Sequence, residues 1–311
     1  MRKLSLEYVY KLACENERIV YIGSDVGAGT LDDFKQQFPD RFFMEGISEQ
    51  HIIGMAAGLA LEGYIPYVNT IATFLTRRCY EQLAIDVCLQ NLPIRLIGNG
   101  GGLVYAPLGP THLAIDDIAL MRALPNMQVV AVADEEEMRR LMAVTADISG
   151  PLYIRVGKGN EPVIYKDEYN FQFGQASIWK EPKSALIIST GIMSHLALEI
   201  AHKFDQVGIM HMHTIEPFDS QAVIKYAKQV DLIITLEEHI LNGGLGSAVM
   251  ECLLDNNVNR IPKVKRYGIK NRFPKGYGSQ QEMIDNEIVS RDELISFLEK
   301  YYEHKNFFAT I

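Results

Sequence analysis

The sequence predicts an α/β fold of two doubly wound domains, and three observations carry that expectation. Short apolar runs rich in Ile and Val alternate with longer segments of helical period, the pattern of strand-helix-strand units around a parallel sheet. The alternation lapses over a polar and aromatic stretch with scattered Pro, Asn and Gly, which reads as a connector. Beyond it the same grammar resumes. A chain of 311 residues with 48% hydrophobic content is long enough for two ordinary cores.

In chain order, Ser5 to Asn16 reads as a helix and the run Ile19-Val20-Tyr21-Ile22 as the first strand. Gln50 to Leu61 has helical length and an apolar face, and Ile65 to Asn69 is the next strand. A helix is predicted at Arg77 to Leu89, then a strand at Ile94 to Ile97, a helix at Asp116 to Arg122 and a strand at Met127 to Ala131. Glu135 to Ala146, with acidic residues in its first turn, is the last helix of this unit, and Leu152 to Val156 its last strand. The expected boundaries are 1–160 for the first domain, 161–182 for the linker and 183–311 for the second domain. The second begins with strand Ala185 to Ser189, helix Leu196 to Phe204, strand Gly208 to Met212, and strand Asp231 to Thr235 before a further helix.

Charge and composition exclude several classes. A net charge of -9 and no Lys/Arg run leave no electrostatic footprint for nucleic acid. Met1 to Val9 alternates charged and apolar residues, and nowhere do about 18 apolar residues run together, so neither a signal peptide nor a membrane span is expected and the chain reads as cytoplasmic. Cys14, Cys79, Cys88 and Cys252 lack metal-ligand spacing and read as reduced core thiols.

The segment Glu45 to Gly63, EGISEQHIIGMAAGLALEG, sets Glu49 at the entry of an apolar, glycine-punctuated helix. The residues alone leave two roles open for Glu49, a helix-start acid favoured by the macrodipole or a functional carboxylate. After Ile47-Ser48-Glu49-Gln50-His51 come the short strand Tyr67 to Thr70, then Thr73-Phe74-Leu75, and farther on Gly109-Pro110-Thr111-His112. This set, in this order, resembles the pyrimidine-binding domain of transketolases and deoxyxylulose phosphate synthases. The second unit, with Leu236-Glu237-Glu238-His239 followed by Asn242-Gly243-Gly244-Leu245-Gly246-Ser247-Ala248-Val249, is similar to the transketolase C-terminal domain. Its glycine turn is either a structural helix start or a phosphate cradle, and the structural reading is preferred because a lone glycine motif is weak. Glu237, Glu238 and His239 are poorly placed to share one metal, since adjacent residues on an extended strand point to opposite faces.

The resemblance implies thiamine diphosphate as cofactor. Glu49 would hydrogen-bond the ring nitrogen of its aminopyrimidine and activate it, a task suited to a carboxylate in a dry pocket. Phe74 would stack on that ring, with Arg77 and Tyr80 following at helical spacing on roughly the same face. Asp25 matches an acidic residue near the cofactor, a turn aspartate being the alternative. His112 matches a histidine at the substrate carbonyl or hydroxyl. Arg155 sits where the family binds a sugar phosphate, and Lys158 either assists it or belongs to a solvated charge pair. No metal ligand is assigned to this chain. Gly100 and Leu108 stand where the resemblance implies a second histidine and an aspartate. The segment Gly98 to Tyr105 reads as a flexible loop with room for a different substrate and with backbone N–H donors in place of side chains.

No Gly-Asp-Gly followed farther on by Asn, the family's diphosphate and Mg2+ signature, occurs in the 311 residues. The expectation is a split enzyme. An N-terminal (α) transketolase subunit would hold the diphosphate and Mg2+, this chain would be the β subunit, and β chains would meet as a homodimer within an α2β2 heterotetramer. The implied reaction is transfer of a two-carbon ketol unit from a ketose donor to an aldehyde or ketone acceptor, with a small sugar substrate. The alternatives are the β subunit of a 2-oxo acid dehydrogenase decarboxylase component and a non-catalytic regulatory subunit.

Overall fold

The computed structural model describes residues 1–24, 28–159, 161–164, 171–256, 258 and 260–309. The first unit runs α1 (Arg2–Glu15), β1 (Ile19–Gly23), α2 (Asp32–Gln37), β2 (Phe42–Met44), α3 (Glu49–Leu61), β3 (Ile65–Ile71), α4 (Ala72–Arg77), α5 (Tyr80–Gln82), β4 (Arg95–Asn99), α6 (Asp117–Arg122), β5 (Gln128–Ala131), α7 (Glu135–Val144) and β6 (Leu152–Val156). The second runs β7 (Ser177–Lys180), β8 (Ala185–Ser189), α8 (Met193–Lys203), β9 (Val207–His211), β10 (Thr214–Glu216), α9 (Ser220–Ala227), β11 (Leu232–Ile240), α10 (Leu245–Asp255), β12 (Lys263–Ile269), α11 (Gln280–Glu287) and α12 (Arg291–Ala309).

Two sheets form the frame. The seven-stranded sheet has the order β10-β5-β6-β4-β3-β1-β2 and is parallel except for β10. The five-stranded sheet has the order β12-β11-β8-β9-β7, with only β7 antiparallel. Strands β1, β4 and β6 are buried at every residue. Helices cover both of their faces, so they read in the sequence as continuous apolar runs. On one face α1, α2 and α7 press Val9, Phe34 and Leu141 against Tyr21, Tyr67 and Ile154. On the other, Ile52, Ala56 and Met121 pack on Val68 and Leu96, and that cluster continues without a break to Leu186 and Met210 of the second sheet and Leu253 of α10. The outer face of the second sheet is closed by Ala197 and Leu294 over Ile187 and Ile234.

Two strands and one helix depart from expectation. Strand β7 lies inside the expected linker and is an edge strand of the second sheet. Strand β10, well inside the expected second domain, crosses over to pair with β5 of the first sheet. The predicted helix from Arg77 to Leu89 is a broken path. Helix α4 starts earlier and ends at Arg77, the chain turns at Cys79 (φ -117°, ψ 28°), and a π-helical turn covers Leu83–Cys88. The thiol expectation holds for buried Cys79, Cys88 and Cys252, whereas Cys14 is exposed; all four are free. Among the described residues no helix is long and apolar enough to cross a membrane.

A polar clasp joins the units. His211 at the end of β9 sets Nε2 2.9 Å from the Glu137 carboxylate of α7, and its Nδ1 lies 2.7 Å from Ser194 Oγ. Glu137 also accepts from the Ala133 N–H at 2.6 Å. Burial pushes the Glu137 carboxyl up, but His211 and His213 outweigh it and hold it at about 2. Burial pulls the neighbouring His213 imidazole down to about 4. Both folded values lie below the unfolded ones, so the folded chain binds fewer protons and its stability falls on acidification. We predict a loss on the order of 3 kcal/mol from His213 as pH falls from about 6.5 to about 4, and a further loss from Glu137 between about 4.5 and about 2. Melting temperature against pH should show both limbs, with His213→Phe flattening the upper one; an unchanged upper limb in that variant assigns it to another group.

Candidate active site

The C-terminal edge of the parallel sheet is where an open α/β fold gathers its functional groups. Glu49 follows β2, Phe74 follows β3, and the loop carrying His112 follows β4. Glu49 is the first residue of α3 and only 4% exposed, so its charge lies close to the unpaired amides of the helix start. Arg78 Nη1 donates to both of its oxygens, at 3.0 and 2.9 Å. The same guanidinium lies over the Phe74 ring, its carbon 3.9 Å from the centroid. His112 meets Phe74 edge-on, centroids 5.2 Å apart and planes at 65°. Its Nδ1 is 2.9 Å from Thr111 Oγ1, and Nε2 makes no hydrogen bond among the described residues. The structure thus brings Glu49, Phe74 and His112 together, and adds Arg78.

The other expected residues are placed differently. Arg77 donates from Nε to both Asp116 oxygens, at 3.0 and 3.1 Å, and its Nη2 is 2.8 Å from Oδ1. Tyr80 donates its hydroxyl to the Leu120 carbonyl at 3.2 Å. Both turn toward α6 and away from the Glu49–Phe74 space. Arg77 and Arg78 both keep helical backbone, and as the i+3 and i+4 neighbours of Phe74 they border its face from two sides, so Asp116 draws one away while Glu49 holds the other. The sequence signal for Arg78 was the Arg77-Arg78 doublet, which helical spacing alone could not resolve. Asp25 lies outside the described residues.

Arg155 also departs from expectation. It is buried in β6, with Nε 2.7 Å from Asp117 Oδ2 and Nη2 donating to the carbonyls of Ala114 and Glu238 at 3.2 and 2.8 Å. Glu238 Oε1 accepts from the Leu103 N–H at 2.9 Å and from Gln280 at 2.8 Å. Burial pulls the guanidinium down, but Asp117 and Glu238 outweigh it and hold it above its ordinary value. Its Nε and Nη2 are engaged by the protein and its Nη1 lies 4.0 Å from Glu238 Oε2, so it serves as a structural cation. Lys158, two residues beyond β6, is exposed.

The glycine segment is packed, not flexible. The N–H groups of Gly100 and Gly101 donate to the Val156 carbonyl, and that of Gly102 to the Ala114 carbonyl. A Cβ on Gly98 would come within 2.6 Å of the Tyr153 ring, and one on Gly102 within 2.5 Å of the Glu238 carboxyl. These glycines let Tyr153, Arg155 and Glu238 close over the backbone, and their N–H groups are not available to a ligand. Among the described residues no cluster of His, Cys, Asp or Glu could hold a metal ion. We predict that Arg155→Ala destabilises the chain by about 3–5 kcal/mol, the cost of stranding a buried carboxylate. Lys158→Ala should stay within about 0.5 kcal/mol of the parent. Urea unfolding measures both, and equal effects would remove the structural role given to Arg155.

The family model described as transketolase, pyrimidine binding domain, matches residues 1–163, and that of the transketolase C-terminal domain matches residues 174–285. 1-Deoxy-D-xylulose-5-phosphate synthase 1 of Geobacter sulfurreducens is 39% identical over 270 residues, covering 85% of this chain and 42% of that protein. The corresponding synthase of Gloeothece citriformis is 33% identical over 302 residues, covering 94% and 47%. The chain spans about half the length of the curated relatives it matches. A solved split gene transketolase, an inactive beta4 tetramer, superposes with a TM-score of 0.86 at 33% identity, covering 96% of this chain and 97% of that one. The transketolase of Campylobacter jejuni superposes with a TM-score of 0.76 at 18% identity, a likeness of fold alone that covers 96% of this chain and 46% of that one. Matched along both sheets, with the Glu49, Phe74 and His112 motifs meeting at one edge, the chain belongs to the transketolase family.

Proposed function

We propose that this chain is the pyrimidine-binding half of a thiamine diphosphate-dependent enzyme that moves a two-carbon ketol unit from a ketose donor to an aldehyde or ketone acceptor. The supporting observation is the buried Glu49 carboxylate facing the same space as the Phe74 ring, with His112 at the ring's edge. That space fits the cofactor's aminopyrimidine, since it already accommodates a flat, hydrogen-bond-donating guanidinium stacked at 3.9 Å. Bound there, the cofactor would supply the electron sink for breaking a carbon–carbon bond beside a carbonyl.

The chain's own residues have distinct tasks in this reading. Glu49 holds and moves a proton at a carboxylate oxygen, directed at the ring nitrogen. Phe74 orients the ring and excludes water from one face. His112, with Nδ1 engaged by Thr111, presents Nε2 to a substrate hydroxyl or carbonyl. With Arg155 committed to the interior, Lys158 remains as the candidate cation for a phosphorylated sugar.

A partner chain completes the proposal. The diphosphate and its Mg2+ would be held mainly by an α subunit, with this chain as β in an α2β2 assembly with a β–β contact. The support is the split-gene neighbour, matched along 97% of its length, whose β chains by themselves form an inactive tetramer. In the reconstituted complex we expect Glu49→Gln to lower ketose-dependent turnover by about 10²–10⁴-fold with circular dichroism unchanged. Unaltered turnover would remove Glu49 from catalysis, and turnover confined to 2-oxo acids would overturn the ketol-transfer reading.

A further inference from the structure

The proposed function uses Glu49, Phe74 and His112 and leaves Arg78 without a task. Yet Arg78 makes the two contacts that define the ring-binding space. Its Nη1 donates to both Glu49 oxygens, and its guanidinium covers the Phe74 face at 3.9 Å. A guanidinium is a flat π-system with donors in its plane, so it presents to Glu49 and Phe74 what an aminopyrimidine presents, a stacking face and an edge that hydrogen-bonds a carboxyl. One Glu49–Phe74 pair cannot serve both groups at once.

The surroundings show which part of Arg78 is free to yield. Its backbone is fixed, since Gln50 of α3 donates to the Arg78 carbonyl at 3.0 Å. Its side chain is 45% exposed, whereas Glu49 is 4% exposed. Rotation of a long, half-exposed side chain toward water needs no change in the fold and is fast on the time scale of binding. The adjacent Arg77 is held by Asp116.

We propose that Arg78 is an internal placeholder for the aminopyrimidine. It keeps the buried carboxylate paired and the Phe74 face covered, and swings outward as the cofactor ring enters. This rests on the thiamine diphosphate reading of the site. The placeholder lowers apparent affinity by the ratio of seated to displaced Arg78. A half-exposed ion pair together with an exposed cation–π contact is worth about one power of ten.

The test is calorimetric titration of thiamine diphosphate with Mg2+ into the reconstituted complex. Arg78→Ala is expected to bind about tenfold more tightly than the parent, and Arg78→Lys, which keeps the charge but loses the flat face, to fall between. Thermal melts of both variants identify a folding defect, which would weaken binding and so cannot imitate the expected gain. Equal or weaker binding by a folded Arg78→Ala complex, with the parent complex binding normally, overturns the placeholder and leaves the family reading standing. Failure of the parent complex to bind thiamine diphosphate overturns both.

Discussion

The arrangement of the site depends on one buried cation, Arg155. Removing a guanidinium from water costs several kcal/mol, and the charge is tolerated only where carboxylates and carbonyls meet it in good geometry. Arg155 finds these on three elements. Asp117 opens α6, the Ala114 carbonyl belongs to the loop after β4, and the Glu238 carbonyl belongs to β11 of the second sheet. Each contact passes a constraint onward. Asp116, beside Asp117, takes Arg77 and so fixes the end of α4, the helix that carries Phe74. Glu238 fixes Leu103 and Gln280. The loop that ends at His112 is therefore anchored at both ends by partners of one side chain.

Strand β11 shows how alternation divides such work. Glu238 points to the first unit, while Glu237, on the opposite face, accepts from the N–H groups of Leu245 and Gly246 at 2.7 and 2.9 Å and so caps α10. Burial pushes the Glu237 carboxyl up to about 7, against those amide hydrogen bonds. The glycine turn before α10 is consequently a fitted structural joint. A Cβ on Gly244 would collide with the Glu237 carboxylate, and one on Gly246 would lie 2.8 Å from both Arg266 and Thr235. The protein's own carboxylate takes the place an anionic ligand would need at this helix start.

Much of the fold was legible because fully covered parallel strands are short apolar runs, and β6 was predicted to the residue. The strands that escaped notice are edges. Strands β2 and β10 have three residues each, β7 lies in polar sequence, and β12 is fully buried only at its last two residues. Within the site, the Glu49, Phe74 and His112 motifs were legible and do meet. Arg77 and Arg78 could not be told apart because positions i+3 and i+4 from Phe74 both border its face, and only their partners, Asp116 and Glu49, set which one turns inward. The interior partners of Arg155 were not legible because they lie 38 and 83 residues away. Gly98 to Gly102 read as flexibility, yet a missing Cβ serves close packing as well as mobility, and only the neighbours decide which.

The border of the site carries the argument to the assembly. Ile47, two residues before Glu49, is 71% exposed, and Leu108, beside the His112 loop, is 51% exposed. Tyr277 is 73% exposed and lies against Gly109, where an added Cβ would come within 2.5 Å of its ring. Large apolar side chains placed singly on a surface need no explanation, but these three flank one polar cluster whose proposed chemistry requires exclusion of water. Neither sheet of this chain covers them. A second surface laid across Ile47, Leu108 and Tyr277 would bury apolar area at the same step in which it dries the space between Glu49 and His112. Burial of apolar surface is the main favourable term in association. Assembly and desolvation of the site would then be one event, as the proposed shared site requires.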